Sequence, residues 1–148
     1  MHRKIVPDIV KPTDVASVTV DDTVLSAARI MRDRKIAALI VVDDAGNLTG
    51  IVTERDVVFR LTANGKDAAT TSIAEIMTPN PDTLAPGDSA SDALELMQTR
   101  NYRHLPVVDG NKCIAVVSVR DLFKSVKESL EESIRETEAF VFGDRYGA

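Results

Sequence analysis

Two short runs carry the residue types best suited to hold a ligand, Thr53-Glu54-Arg55-Asp56 and Ser118-Val119-Arg120-Asp121. In each, a hydroxyl precedes a carboxylate by three residues, with an arginine between them. Where a strand passes into a helix, that spacing sets the two groups one turn apart, so both can point at one bound molecule. A carboxylate only accepts, and it can take both hydroxyls of a sugar diol through charge-assisted bonds worth roughly 1.5–3 kcal/mol each. The Thr53 or Ser118 hydroxyl and the N–H groups at the helix start can donate to an anion. Arg55 and Arg120 stand at the same turn, and Arg103 and His104 add further cations. The same residues also suit a purely structural cap, since Thr, Ser and Asp are common in a helix's first turn.

No set of nucleophile, base and orienting partner can be nominated, so no catalytic residue and no enzyme activity is expected. Phosphate-loop and nucleophile-elbow motifs are missing. His2 and His104 are the only histidines, too few for a zinc site. The lone Cys113 sits in the apolar run Cys113-Ile114-Ala115-Val116-Val117 and reads as a structural thiol in a strand.

The chain of 148 residues has a formal net charge of −5, with 18 Lys and Arg against 23 Asp and Glu. That balance argues against nonspecific nucleic-acid binding, although cations can still cluster locally. Apolar runs such as Leu39-Ile40-Val41-Val42 fall far short of the ~20 residues that span a bilayer. No signal peptide is evident, and a cytoplasmic protein without a membrane partner is expected.

The elements that must position the two runs come in duplicate. At a shift of 66, Asp22 to Met31 aligns with Asp88 to Met97. Apolar positions 24, 27, 28 and 31 meet 90, 93, 94 and 97, each set having the spacing of one buried helical stripe. Asp22 and Asp88 are expected as N-caps. Leu39 to Asp43 then meets Leu105 to Asp109, with turn residues and a second strand after both, Leu48 to Val52 and Cys113 to Val117. Short strands are expected before each helix, at Ser17 to Val20 and Thr83 to Ala85. The polar stretch Thr62 to Ser72 reads as a mobile connection, and Ile73 to Met77 as a short helix stopped by Thr78-Pro79-Asn80-Pro81. After Asp121 one long helix is expected, its apolar stripe at 122, 126, 130 and 134 seeking a partner helix or packing back on the body.

Gly50-Ile51-Val52-Thr53-Glu54-Arg55-Asp56, its repeat Ala115 to Asp121, and Arg103-His104-Leu105-Pro106-Val107-Val108-Asp109 together resemble the CBS-domain family. The resemblance covers about Val18 to Val126 and is nearest to small stand-alone bacterial proteins built from a CBS pair. It implies an α/β (α+β) fold in which each motif runs β-α-β-β-α and the two pack about a pseudo-two-fold axis. The units are residues 1–62 (first motif with its N-terminal segment), 63–81 (linker with a short helix), 82–126 (second motif) and 127–148 (helical tail).

Such pairs hold AMP, ADP, ATP, NAD or S-adenosylmethionine in two clefts as a regulatory ligand, with no catalytic cofactor, and pair into flat homodimers. The resemblance implies that Val20, Ile36 and Ala37 sandwich an adenine ring. The cleft served by Ser118, Asp121, Arg103 and His104 is expected to take the phosphate. Ala115 stands where the first motif has Gly50, and its methyl is expected to narrow a close approach of the backbone. The alternative is an interaction scaffold with vestigial clefts, docking a second copy or an unknown protein partner.

Overall fold

A computed structural model describes residues 3–146, with side chains as far as Val141. The last two residues of the tail unit, and His2, lie outside the described residues. The first repeat comprises β1 (Ser17–Val18), α1 (Val24–Arg34), β2 (Ala38–Val42), β3 (Leu48–Thr53) and a short helix α2 (Glu54–Asp56) that continues in a wider helical turn over Val57–Leu61. β4 (Thr78–Pro79) follows, then α3 (Ala90–Arg100), β5 (His104–Asp109), β6 (Lys112–Ser118) and the 28-residue α4 (Val119–Tyr146). The mixed α and β architecture and the long C-terminal helix match the expectation.

The repeat extends to individual pairings. β1 lies parallel to β2 with Val18 opposite Val41, and Leu84 makes the equivalent parallel bridge to Val107. β2 and β3 are antiparallel with Leu39 opposite Val52, as β5 and β6 are with Leu105 opposite Val117. Both hairpins shift register at the same place, between Val41 and Val42 and between Val107 and Val108. Each repeat has a core built mainly from its own helix and hairpin. Val24, Ala27, Met31, Leu39, Val41 and Val52 are buried in one, and Ala90, Ala93, Met97, Leu105, Val107 and Val117 in the other.

The helix caps fall one residue later than expected. Thr23 caps α1, its Oγ1 accepting from the Ser26 N–H at 3.1 Å, and Ser89 caps α3 in the same way from Asp92. Asp22 and Asp88 instead accept from the N–H of Thr19 and Ala85, both at 2.8 Å, and so close the turn leading into each helix. A carboxylate three residues after a free N–H closes an Asx-like turn as readily as it caps a helix, and here the following hydroxyl takes the cap.

The halves interlock by exchanging their leading segments. Residues 3–10, grouped with the first motif by sequence, pack on the second: Ile5 is fully buried in the second core, and Ala90 N–H donates to Arg3 O at 2.9 Å. In return Ile73 is fully buried in the first core, and Val24 N–H donates to Thr71 O at 2.9 Å. This also corrects the reading of Thr62 to Ser72 as a mobile connection. Thr71 is buried, and the carbonyls of Ala68 and Thr71 take the N–H groups of Leu25 and Val24. The first N–H groups of a helix have no partner within it, so a polar strand of chain laid across that end meets a standing demand.

Gly50 answers to packing rather than to ligand approach. A Cβ there would lie 2.9 Å from Met77 Sδ and 3.0 Å from Thr78 O, because β4 pairs against β3 at this point. Along β6 the corresponding contact is one backbone bond, Thr13 N–H to Ile114 O at 2.9 Å, and the Ala115 methyl is buried in the second core.

Ile5→Ala should cost about 2–5 kcal/mol, the range for emptying a buried isoleucine site. Urea unfolding checks this, and a loss below about 1 kcal/mol would show that the leading segment is not part of the second core.

Candidate functional site

The hydroxyl and carboxylate of each four-residue run meet each other first. Thr53 ends β3 in extended conformation and caps α2, its Oγ1 lying 3.4 Å from the Asp56 N–H. Asp56 Oδ2 accepts from the Thr53 N–H at 2.9 Å and from the Thr53 hydroxyl at 3.2 Å. The second run repeats this: Asp121 Oδ2 accepts from the Ser118 N–H and from the Ser118 hydroxyl, both at 2.9 Å. A hydroxyl has one proton and a carboxylate can only accept, so both hydroxyl protons are committed to the aspartates. The expectation that Thr53 or Ser118 donates to phosphate is corrected accordingly. The helix start is also occupied: Glu54 N–H donates to Ala37 O at 2.9 Å, and Val119 N–H to Arg103 O at 2.8 Å. Only one oxygen of each aspartate serves the cap. The other oxygen of Asp56 lies 3.6 Å from Arg60 Nε.

Asp56 lines a cavity of about 230 Å³ between the halves. The first repeat gives Ile51, Thr53, Glu54, Arg55, Phe59 and Arg60; the linker gives Thr78 and Pro81; the second repeat gives Asp82 and Arg100 to Leu105. Four arginines thus face three carboxylates in a chain whose overall balance is acidic. Arg55 joins the halves, its Nη1 donating to Asn101 O at 3.4 Å while its guanidinium lies 5.7 Å from the Phe59 ring centre. Arg60 Nη1 donates to the carbonyls of Ile76 and Met77 at 3.1 Å each. Arg100 stands 4.0 Å from Asp82.

The placement of Arg103 and His104 is the main correction to the sequence reading. They line the cavity of Thr53 and Asp56, across the repeat boundary, rather than one served by Ser118 and Asp121. Grouping by sequence proximity failed because β5 opens at the interface, where its first residues face the other half. His104 nevertheless pairs with Ser118 in the hairpin. Burial lowers its pKa below the ordinary imidazole value, Glu54 and Asp121 pull it up, and Arg103 pushes it down. His104 therefore senses the carboxylates of both repeats.

Arg120 and Asp121 line a second, shallow hollow with Phe123, Lys124 and Lys127, all from α4. Ser118, Val20, Ile36 and Ala37 line neither hollow. Val20 packs against the first core, and Ile36 is exposed. Sequence reasoning missed Arg60, Arg100, Tyr102, Phe59 and the pair Lys124 and Lys127. Arg60 had a signal, standing four residues after Asp56 on a helix. Arg100 and Tyr102 flank the left-handed cap residue Asn101, and only the fold brings that corner to the cavity. Cys113 is half-buried with its thiol pKa raised by burial, as suits a structural thiol. Among the described residues no group of His, Cys, Asp and Glu could hold a metal ion, and no helix is long and apolar enough to cross a membrane.

The CBS domain family matches residues 6–63 and 73–128. A curated relative, the CBS domain-containing protein YhcV of Bacillus subtilis, is 36% identical over 110 residues, covering 74% of this chain and 77% of that protein. Matched plant proteins are longer: the chain spans 63% of mitochondrial CBSX3 and 22% of CBSCBSPB2, both of Arabidopsis thaliana. Among solved structures, a putative signal-transduction protein with CBS domains from Burkholderia ambifaria is 38% identical, with a TM-score of 0.73 over 76% of this chain and 82% of that one. The CBS domain pair of protein MJ0100, solved with 5′-methylthioadenosine and S-adenosyl-L-methionine, is 25% identical, with a TM-score of 0.77 over 87% of this chain and 99% of that one. With both repeats matched in sequence and in three dimensions, the chain belongs to the CBS-domain family, as a tandem pair of motifs.

Proposed function

We propose that this chain is a regulatory module that senses an adenine nucleotide in the cavity between its repeats and carries out no chemistry on it. The observation that carries this reading is the cavity itself, where Asp56 of one half faces Arg100, Arg103 and His104 of the other. Occupancy would tie the halves together, and a ligand bound only by the folded state stabilises it in proportion to RT ln(1 + [L]/Kd). The MJ0100 pair, whose bound ligands are both adenosyl compounds, supports the ligand class.

Charge and size favour one member of that class. An excess of arginines over carboxylates suits phosphate better than a sulfonium, which disfavours S-adenosylmethionine. At about 230 Å³ the enclosed space is below the ~300–1,000 Å³ of usual small-molecule pockets. That fits one mononucleotide with part of it in the open groove, and it leaves NAD too large. AMP, ADP or ATP is therefore preferred. Asp56 takes the ribose hydroxyls through the oxygen nearest Arg60, Arg103 and His104 meet the phosphate, and Ile51 and Phe59 offer apolar surface to the base. Ile36 and Ala37 hold in the first repeat the positions of Tyr102 and Arg103 in the second. By the two-fold relation we place them, with Val20, as an apolar wall beside Ser118 and Asp121, whose shallow hollow takes its cations from α4 alone, Arg120, Lys124 and Lys127. That cleft is the weaker phosphate site. The module acts in the cytosol as a homodimer.

A second reading, a scaffold that binds no nucleotide, draws on the aspartates being engaged by their own caps. Calorimetry and thermal shift with AMP, ADP, ATP, NAD and S-adenosylmethionine separate the two. Arg103→Ala should weaken AMP binding at least tenfold with little loss of stability. Asp56→Asn, which keeps an acceptor for the cap, should weaken it by a similar factor. No shift with any of the five at millimolar concentration favours the scaffold.

Protonation gives an independent check. Burial holds His104 neutral in the fold, with its pKa below the ordinary value of 6.5. A group whose folded pKa is depressed lends stability above its unfolded pKa and loses it as pH falls through the folded one. Stability without ligand should therefore fall as pH drops below about 6.5, less so in His104→Gln. A bound phosphate favours the imidazolium, so AMP binding should take up protons in the same pH range. Calorimetry in buffers of different ionisation enthalpy reads this uptake, and His104→Gln should remove part of it. Equal uptake by the variant would place His104 outside the phosphate site.

A further inference from the structure

The expected stripe at 122, 126, 130 and 134 does not stay on one face of α4. Steps of four residues advance about 40° around a helix, so Leu122 and Ile134 lie about 120° apart. Leu122 and Ser125 are buried against the body, and Arg3 reaches Ser125, Glu128 and Glu132 at 3.4 Å each. A second stripe runs Phe123, Lys127, Leu130, Ile134, Thr137 and Val141, with alternating steps of four and three residues. That alternation keeps one seam in line along a pair of helices. Its four apolar members are 51–62% exposed. Every residue from Glu131 to Val141 is exposed, so this part of the helix has no support from the body. A helical stretch so short is marginal on its own in water.

We propose that this seam pairs with the same seam of a second copy, antiparallel, and that the C-terminal helix is the element joining the dimer. The charges choose the partner and its direction. In a parallel pair Lys127 would face Lys127 of the other copy inside the seam. In an antiparallel pair centred between Leu130 and Ile134, Phe123 meets Val141, Leu130 meets Ile134, and Lys127 meets Thr137. One flank of the seam then sets Lys124 against Glu138 at both ends and Glu131 against its own copy at the centre, where Lys127 of each helix, 4.0 Å from Glu131, offsets the like charge. The other flank is neutral, Val126 meeting Phe140 and Ser133 meeting Ser133. Self-complementarity under a two-fold axis is what an isologous interface requires. The nucleotide cavity is not involved, so this pairing and the ligand reading stand or fall separately.

The test is the mass of the full chain in solution, by light scattering or sedimentation at tens of micromolar. The wild type should be a dimer, and Leu130→Glu/Ile134→Glu a folded monomer with an unchanged AMP isotherm. Lys124→Glu should raise the dimer dissociation constant about tenfold, and adding Glu138→Lys should restore it. In a Cys113→Ser background, Lys127→Cys/Thr137→Cys should form a disulfide-linked dimer on oxidation, while Thr137→Cys alone should not. A monomeric wild type overturns the pairing and the homodimer together. A dimer that persists in Leu130→Glu/Ile134→Glu, or ready cross-linking by Thr137→Cys alone, overturns the antiparallel seam.

Discussion

The cleft exists because each repeat completes the core of the other. A motif of this size buries too little apolar surface to stand alone. Here a fully buried isoleucine crosses in each direction, Ile5 into the second core and Ile73 into the first. The carbonyls beside them, Arg3 O and Thr71 O, satisfy the opening N–H groups of α3 and α1. Burying one isoleucine contributes roughly 1.5–3 kcal/mol. The backbone bonds add direction to that, since a shift of one residue would leave helix N–H groups unpaired. The halves are thereby held at a fixed separation, which is the condition for a cavity whose walls belong to both.

Within that frame the repeats match in backbone and diverge in side chains. The hairpins share pairing, register shift and cap geometry. The corner before the first strand of each hairpin differs: Ile36 and Ala37 in one, Tyr102 and Arg103 in the other. The cationic corner of the second repeat lines the same cavity as the aspartate of the first. The repeated backbone thus carries different side chains around Asp56 and around Asp121. The wider hydrogen-bonded surround follows the same logic, since Arg55 bonds Asn101 O at the very corner that carries Arg103.

Much of this was legible in the sequence. The helical stripes of α1 and α3, the two hairpins and the Thr53 and Ser118 runs announce themselves because periodicity and turn chemistry act over a few residues. The exchange of leading segments was not legible. Ile5-Val6 and Ile73-Ala74 are too short to show a pattern, and their separation of 68 differs from the 66 of the helices. The caps were misplaced by one residue because Asp22 and Thr23, like Asp88 and Ser89, are both competent cap residues. Which carboxylate shares a cavity with Arg103 and His104 is a fact of the interface. It could not be read from neighbours in the chain, and proximity to Ser118 in the hairpin pointed the wrong way.

The aspartate of each motif has two tasks. One oxygen closes the cap that turns a strand into a helix, with the Thr53 or Ser118 hydroxyl locked to it. The other lies outside the cap, and at Asp56 it faces Arg60. Asp56 is largely buried and Arg60 half-exposed, 3.6 Å apart, and Arg60 is also held by the carbonyls of Ile76 and Met77, so a ribose bound as proposed would share this oxygen with the arginine. The cap meanwhile fixes where the acceptor stands before any ligand arrives, sparing the binding step the entropy of ordering it. The structural role of Asp56 and the recognition role proposed for it are therefore compatible. Local engagement of Asp56 fixes where its second oxygen stands at the cavity, and the same capped geometry recurs at Asp121.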